Sequence, residues 1–358
     1  MAQASTDVWT GNVAAQGSWN SNPRSATLGQ DGYVESLGVG LGYTLNSPRS
    51  QVEFAAQGLG LLHQGTGRTD RFNYTGMLNV SRQATPRLAL QFSEAVVSTY
   101  SQHSPFLAAD GLVYGLVLYR TNHLSGGMTY RLTPRTNLSV TARHDWVRFD
   151  SSANLVGGWQ FTTGASLGRQ MTAVDSLSLS YSFRHSRYQS GSRRNTDTHT
   201  LMTGWTRRLS ERFALSASAG ASQVNFVGFN SRYGLVAKAA LSAQLRTGSV
   251  SLRYEHGTSQ AYGFGRDRLF DVVGLAHSRS LGRRLSATVS GVYGRSRDLF
   301  DPTWGYDTQN YSLGLQYAAG RQWTLGAGYG WIYRDYVSVV PRSSHIVNAS
   351  CSYGWQWR

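Results

Sequence analysis

Hydrophobic and polar positions alternate with a period of two along most of the chain. Leu37, Val39, Leu41, Tyr43 and Leu45 are separated by Ser36, Gly38, Gly40, Gly42 and Thr44. Phe72, Tyr74, Gly76, Leu78 and Val80 alternate with Asn73, Thr75, Met77, Asn79 and Ser81. Leu177, Leu179, Tyr181 and Phe183 alternate with Ser176, Ser178, Ser180 and Ser182. The stretch from Tyr233 to Leu245 repeats the pattern at greater length. A period of two puts the two sets on opposite faces of a β-strand.

The second face lacks the charge of a water-soluble surface and is built of Ser, Thr, Gly, Asn and Gln. Strands of about ten residues with one apolar and one small polar face fit a membrane-spanning barrel. Lipid then takes the apolar set and an aqueous lumen takes the polar one. The mean hydropathy of −0.34 agrees, since only half of each strand meets lipid.

Short turns and longer loops alternate between the strands. The short turns are Asn46-Ser47-Pro48-Arg49, Ala84-Thr85-Pro86-Arg87, Thr133-Pro134-Arg135, Met171 to Asp175, Ser210-Glu211-Arg212, Arg246-Thr247-Gly248, Gly282-Arg283-Arg284 and Gly320-Arg321. Most lie about 36–38 residues apart, close to two spanning strands plus two connections. A propeller blade, at about 40–45 residues for four strands, would need shorter strands than these. Proline cannot donate to a strand ladder. Pro48, Pro86 and Pro134 fall in short turns, and Pro23, Pro105, Pro302 and Pro341 in longer loops.

Eight short turns imply sixteen strands. One more fits before them (Asp7–Trp19) and another after them (Ile346–Trp357). The sequence therefore predicts an all-β fold: a transmembrane antiparallel up-and-down barrel of about 18 strands, with 16 as the fallback, filling residues 1–358 as one domain. An even count puts both termini on the short-turn side, which is periplasmic in bacterial barrels. Barrels of 16–18 strands leave an aqueous channel.

Composition narrows the classes further. No run of about 18 apolar residues exists, so no transmembrane helix is expected. Cys351 is the single cysteine, which excludes an internal disulfide and a four-cysteine metal site. The chain opens Met-Ala-Gln-Ala-Ser-Thr, without a charged and apolar signal segment, and Met1 is read as the start of a mature, secreted chain. Lys and Arg total 34 against 19 Asp and Glu, a net +15, and Lys238 is the only lysine. That charge is dispersed rather than striped, which argues against nucleic acid as a partner.

In the last strand Val347, Ala349, Cys351, Tyr353, Trp355 and Trp357 face one way. This resembles the C-terminal strand of Gram-negative outer-membrane barrels, whose alternating aromatics are recognised by the assembly machinery. Arg358 after Trp357 departs from that pattern by one residue. The resemblance implies an outer-membrane location, the barrel assembly machinery as a partner of Tyr353, Trp355 and Trp357, and lipid bilayer and lipopolysaccharide as surroundings. The strand count is similar to that of sugar porins and of barrels proposed for exopolysaccharide export. Tyr33, Tyr233, Tyr306, Tyr333 and Trp331 toward the long loops, and Trp205, Trp323, Trp355 and Trp357 toward the short turns, suit two interfacial girdles.

If the apolar set faces lipid, the alternate positions line a pore. These include Gln51, Glu53, Gln57, Arg131, Arg143, Asp145, Arg184, Arg208, Lys238, Arg253, Glu255 and Arg334. A charge in mid-membrane lipid costs about 2–4 kcal/mol, which also predicts Asp271, His277 and Arg279 inside. Arginine keeps its charge and binds carboxylate or phosphate in a bidentate fork. The expectation is an outer-membrane channel for passive passage of solutes, anion-preferring through this wall. The competing reading of the same residues is that the arginines pair with Glu53, Asp145 and Glu255 to brace the wall.

Loop arginines Arg68, Arg71, Arg193, Arg194, Arg266, Arg268, Arg295 and Arg297 are read as partners of lipopolysaccharide phosphates, or as collectors of anionic solute. The segment Ser101 to Thr121 is about eleven residues longer than its counterparts and holds an apolar stretch after Ser104 and Pro105. It is predicted to fold inward as a constriction, with Ser104, Pro105, Phe106 and Asp110 as its candidate residues; an extracellular flap or an extended hairpin using Leu112–Tyr119 are the alternatives. Ala217, Ala219 and Ala221 beside Ala237 and Ala239 offer a flat flank for a homotrimer. The other functional readings are export of an anionic exopolysaccharide with periplasmic partners, and a plugged structural barrel. The histidines show no metal spacing, and no cofactor and no enzyme activity are expected. Asp301, Asp307 and His345 are the one trio whose convergence at the rim would change that.

Overall fold

The computed structural model describes residues 6–21, 32–64, 71–100, 117–150, 155–189, 195–226, 230–262, 265–301, 303–336 and 339–357. The first nine strands are β1 (Thr6–Asn20), β2 (Gly32–Asn46), β3 (Ser50–Gln64), β4 (Arg71–Thr85), β5 (Leu88–Tyr100), β6 (Leu118–Thr133), β7 (Thr136–Phe149), β8 (Gly158–Gln170) and β9 (Asp175–Tyr188). The second nine are β10 (Asn195–Arg208), β11 (Phe213–Phe226), β12 (Arg232–Leu245), β13 (Gly248–Ala261), β14 (Arg266–Ser280), β15 (Leu285–Asp298), β16 (Gly305–Ala318), β17 (Trp323–Tyr336) and β18 (Val339–Trp357).

Each strand pairs antiparallel with the next, and β1 pairs with both β2 and β18, so the sheet closes. The closing seam runs from Trp9↔Trp357 to Asn20↔Ile346. The strand count is eighteen, the higher of the two expected. Burial is inverted relative to a water-soluble protein. Leu37, Val39, Tyr233 and Leu235 are 61–76% exposed, whereas Ser186 and Ser222 are at most 2% exposed. The apolar parity is the outer wall of the barrel, and the fold is an outer-membrane one.

Strands of 13 to 19 residues exceed the 9–11 that a bilayer needs. Trp9, Trp205, Trp323, Trp355 and Trp357 sit within a few residues of chain termini or short turns. They form an outer aromatic belt: Trp9 packs on Tyr43 at 4.6 Å and stacks on Trp357 at 6.4 Å, and Tyr353, Trp355 and Trp357 follow in series. The excess strand length therefore lies at the long-loop end. There the outer face becomes polar and internally paired, as in His185–Asp197 at 2.6 Å and His256–Asp271 at 2.8 Å.

Three expectations are corrected. Asp271, His277 and Arg279 share the parity of Val273 and Leu275 and lie on the outer wall, not inside. Asp271 stands at the overshooting end, held by His256 and by the Tyr254 hydroxyl at 2.9 Å. Arg279 stands one residue from the end of β14, and the His277 ring lies 3.0 Å from the Ser249 carbonyl oxygen. Tyr306 is inward and fully buried, so it is no girdle residue. Pro341 belongs to β18, beside the register shift between Arg334 and Tyr336 that spares the ladder its missing donor.

The parity assignment makes adjacent positions opposite in outcome. Leu179→Arg should lower barrel stability by about 2–4 kcal/mol, and the neighbouring Ser180→Arg by well under half of that. Denaturant titration of the refolded barrel in lipid vesicles measures both.

Candidate functional site

The inner wall is set by register. Residues directly opposite on neighbouring strands share a face, so Lys238 meets Glu255, Arg143 meets Ser125, and Asp145 meets both His123 and Gln160. By the same parity Glu53, Arg131, Arg143, Asp145, Arg184, Arg208, Lys238, Arg253, Glu255 and Arg334 all stand on inward positions. They do not form one site.

Several are neutralised in place. Asp145 is 2% exposed and saturated: His123 Nδ1 lies 2.5 Å from its Oδ1, and Arg143 Nε donates to Oδ1 at 2.7 Å. Gln160 donates to its Oδ2 at 2.5 Å. Arg143 still lines a polar recess of about 540 Å³ with Gln51, Glu53, Asn79, Gln91 and Thr162. Lys238 Nζ is 2.5 Å from Glu255 Oε1. Glu53 accepts from Gln51 at 2.7 Å, a neutral amide that leaves the carboxylate charge uncompensated.

Other cations keep their charge uncompensated. Arg253 faces inward in the middle of β13 and makes no side-chain hydrogen bond or ion pair among the described residues. It lies across Gly274, its partner in the ladder, where a Cβ would come within 2.8 Å of its Nε. Glycine there leaves room for the guanidinium against the wall. Arg131 and Arg208 line a cavity of about 620 Å³ near the short turns, together with Arg135 and Arg169.

At the other end the mouth is narrowed. Arg184 Nη1 donates to the Thr258 carbonyl at 3.3 Å, and the Tyr188 hydroxyl donates to the Arg266 carbonyl at 2.7 Å. Both donors are on β9, and both acceptors are on the β13–β14 hairpin. Three strands separate β9 from β13 in the sheet, so these bonds are made across the interior. The hairpin tip packs Tyr262 into a buried cluster with Tyr119, Val147, Phe149 and Tyr188, on the inner face of β6, β7 and β9. Gly265 takes φ +63° at the turn, a left-handed conformation that side chains rarely adopt, with Val156 close by.

The 299–304 loop leans in as well. Phe300 meets Phe226 of β11 edge-on at 4.2 Å, with the Arg232 guanidinium 5.5 Å from its ring. Arg266 bridges Asp298 at 3.2 Å and Asp301 at 3.5 Å. Hydrogen bonds from Thr303 hold the Asp301 carboxyl below its usual carboxylate range. Arg268 reaches Ser259, Ser296 and Tyr306. Arg266 and Arg268 are thus tied into the mouth, not free for lipopolysaccharide. Arg295 and Arg297 share Asp307 on the outer face.

With this geometry in view, the comparisons concern fold. No protein-family model and no curated protein matches the chain. Solved structures do. OccAB4 of Acinetobacter baumannii matches at 12% identity and TM-score 0.51, over 98% of both chains. OpdQ of Pseudomonas aeruginosa matches at 11% and 0.52, again over 98% of both. OccK7 (OpdD) of the same species matches at 10% and 0.52, over 98% of this chain and all of that one. The chain has the porin-like fold of Gram-negative outer-membrane barrels.

The trio Asp301, Asp307 and His345 does not converge: Asp301 binds Thr303 and Arg266, Asp307 binds arginines, and His345 meets the Tyr329 hydroxyl at 2.7 Å. Ser104, Pro105, Phe106 and Asp110 lie outside the described residues. The narrowing among the described residues comes from 258–262 and 265–268, with Phe300 beside them. The sequence signal for it was slight: a turn between strands long enough to outreach the bilayer. Tyr353, Trp355 and Trp357 stand on the outer wall.

Tyr262 anchors the hairpin tip. Tyr262→Ala should remove about 3 kcal/mol or more of packing and raise hydrogen exchange in 258–268 while exchange in β2 to β5 stays unchanged. Mass-spectrometric exchange on the refolded barrel checks it.

Proposed function

We propose that the protein is a passive channel of the outer membrane that prefers anionic solutes. The observation that carries this reading is the charge left on the inner wall after internal pairing. Asp145 and Glu255 are matched by His123, Arg143 and Lys238, and Glu53 is the one inward carboxylate of this set without a cationic partner. Arg253, Arg131 and Arg208 remain as cations facing the lumen. Basic side chains lining a pore favour anions, and a low-dielectric wall focuses their field. The solute gradient supplies the driving force. The protein supplies a polar path lined by Ser, Thr, Asn and Gln through apolar lipid, as in the recess beside Gln51 and Asn79. Export of an anionic polysaccharide gains nothing from the geometry, because the β13–β14 tip narrows the mouth. That same narrowing favours the plugged structural barrel as the second reading.

Single-channel recording of the refolded protein under a potassium chloride gradient separates the two. The expected outcome is clear conductance with a reversal potential favouring chloride. Arg253→Gln should weaken that preference, and Lys238→Gln, which unmasks Glu255, should move it further toward potassium. Stable insertion without conductance would overturn the channel and leave the plugged barrel.

A further inference from the structure

The two rims of the barrel carry charge differently. At the long-loop rim carboxylates are interleaved with the arginines, and Arg266, Arg295 and Arg297 all have acidic partners. At the short-turn rim carboxylates are sparse, with Asp175 lying 3.8 Å from Arg207 at the start of β9. The residues between the paired strands of that rim include eight arginines and one glutamate, Glu211. Eight positive charges less one negative give +7 of the chain's +15, in eight turns. All eight arginines are exposed. None forms an ion pair or side-chain hydrogen bond from its guanidinium among the described residues; Arg87, Arg135 and Arg212 bond only through their backbone N–H and C=O groups.

The position of this ring identifies its partner. Just inside it lies the outer aromatic belt of Trp9, Trp205, Trp323, Trp355 and Trp357, a belt that marks the membrane–water boundary. The arginines thus stand at headgroup level. Seven of the eight turns carry one or more, so the ring follows the whole circumference. A folded partner docking on one side would match a patch, whereas a lipid leaflet surrounds the barrel. Cationic side chains near an anionic leaflet gain Coulomb energy that falls off within a Debye length.

We propose that the short-turn rim is a binding ring for anionic phospholipid headgroups of the periplasmic leaflet. It selects lipids bearing net negative charge over zwitterionic ones and fixes the depth of the barrel. Arg135 also lines the cavity near the short turns, but the inference concerns lipid contact and does not depend on conduction.

The test uses the refolded full-length barrel in vesicles mixing phosphatidylglycerol with phosphatidylcholine. One lipid or the other is brominated, and tryptophan quenching is read. Five of the ten tryptophans lie in the short-turn belt. Brominated phosphatidylglycerol should quench severalfold more effectively than brominated phosphatidylcholine at equal mole fraction. The difference should vanish in a variant carrying R49Q, R87Q, R135Q, R212Q, R246Q and R321Q, and persist when the same six become lysine. Heat-modifiable gel mobility confirms that each variant is folded. For the wild type alone, molar salt should abolish the difference.

Equal quenching by the two lipids in the wild type would overturn the proposal, as would a preference that survives the glutamine variant. Displacement of the preference by excess inorganic phosphate at constant ionic strength would assign the ring to free anions and overturn the lipid. Capture of isolated peptidoglycan by a ring with no lipid preference would do the same in favour of a polymer.

Discussion

No water reaches the backbone of a strand within the hydrocarbon of a bilayer, so each peptide N–H and C=O there needs a neighbouring strand. In this chain the requirement is met by the β1–β18 seam, which pairs residues 326 to 348 positions apart in sequence, from Asn20↔Ile346 to Trp9↔Trp357. Everything else is fixed by that closure. It forces one parity of every strand outward and the other inward. It turns the apolar side chains into the surface, and collects Ser, Thr, Gly, Asn and Gln around a shared interior. A one-residue slip at the seam would exchange the two walls for the whole of a strand. Side-chain contacts such as Ser344 to Asn20 at 2.5 Å and the Trp9–Trp357 stack lie at its two ends.

Strand length adds a second degree of freedom. Closure needs only enough residues to cross the bilayer, and these strands are longer. The surplus at the long-loop end is free of the rule that charges avoid the outer wall. It carries His–Asp pairs outside and tyrosines inside. It also lets a hairpin bend. The β13–β14 tip leaves the cylinder and trades lipid for the inner face of β6, β7 and β9, where Tyr262 and Tyr188 pack edge-on at 6.0 Å. Among the described residues, the narrowing is built from extensions of the strands that form the wall.

The barrel was legible because its information is local. Alternation in Leu177–Phe183 and Tyr233–Leu245 states which side chains meet lipid, and the arginine- and proline-marked turns state where the chain reverses. Depth was not legible. Parity says inside or outside, but says nothing of how far a residue stands from the bilayer centre. A reading without depth therefore sends Asp271, His277 and Arg279 inward, to escape a penalty that fades near strand ends. Tyr306 looks like a girdle residue for the converse reason: an aromatic at a strand end suits lipid or a packed mouth equally well. From the sequence Asp145 pairs with arginine, but its histidine partner does not show. His123 and Asp145 are far apart in sequence and meet only through the β6–β7 register.

The net charge shows why placement matters more than composition. A total of +15 suggests a strongly basic pore, yet much of the lumen charge is cancelled by neighbours, as at Asp145 and Glu255. Nearly half of the total stands in the short turns, outside the pore. These two populations act on different quantities. Rim charges in open solvent are screened over about 10 Å at 0.1 M salt, so they alter lipid contact and the rate of encounter with solutes. They cannot set a selectivity that persists in concentrated salt. A cation on the wall, flanked by low-dielectric protein and close to a passing ion, is screened far less. Any anion preference that survives high salt must therefore rest on a few wall residues such as Arg253, and not on the basic composition of the chain.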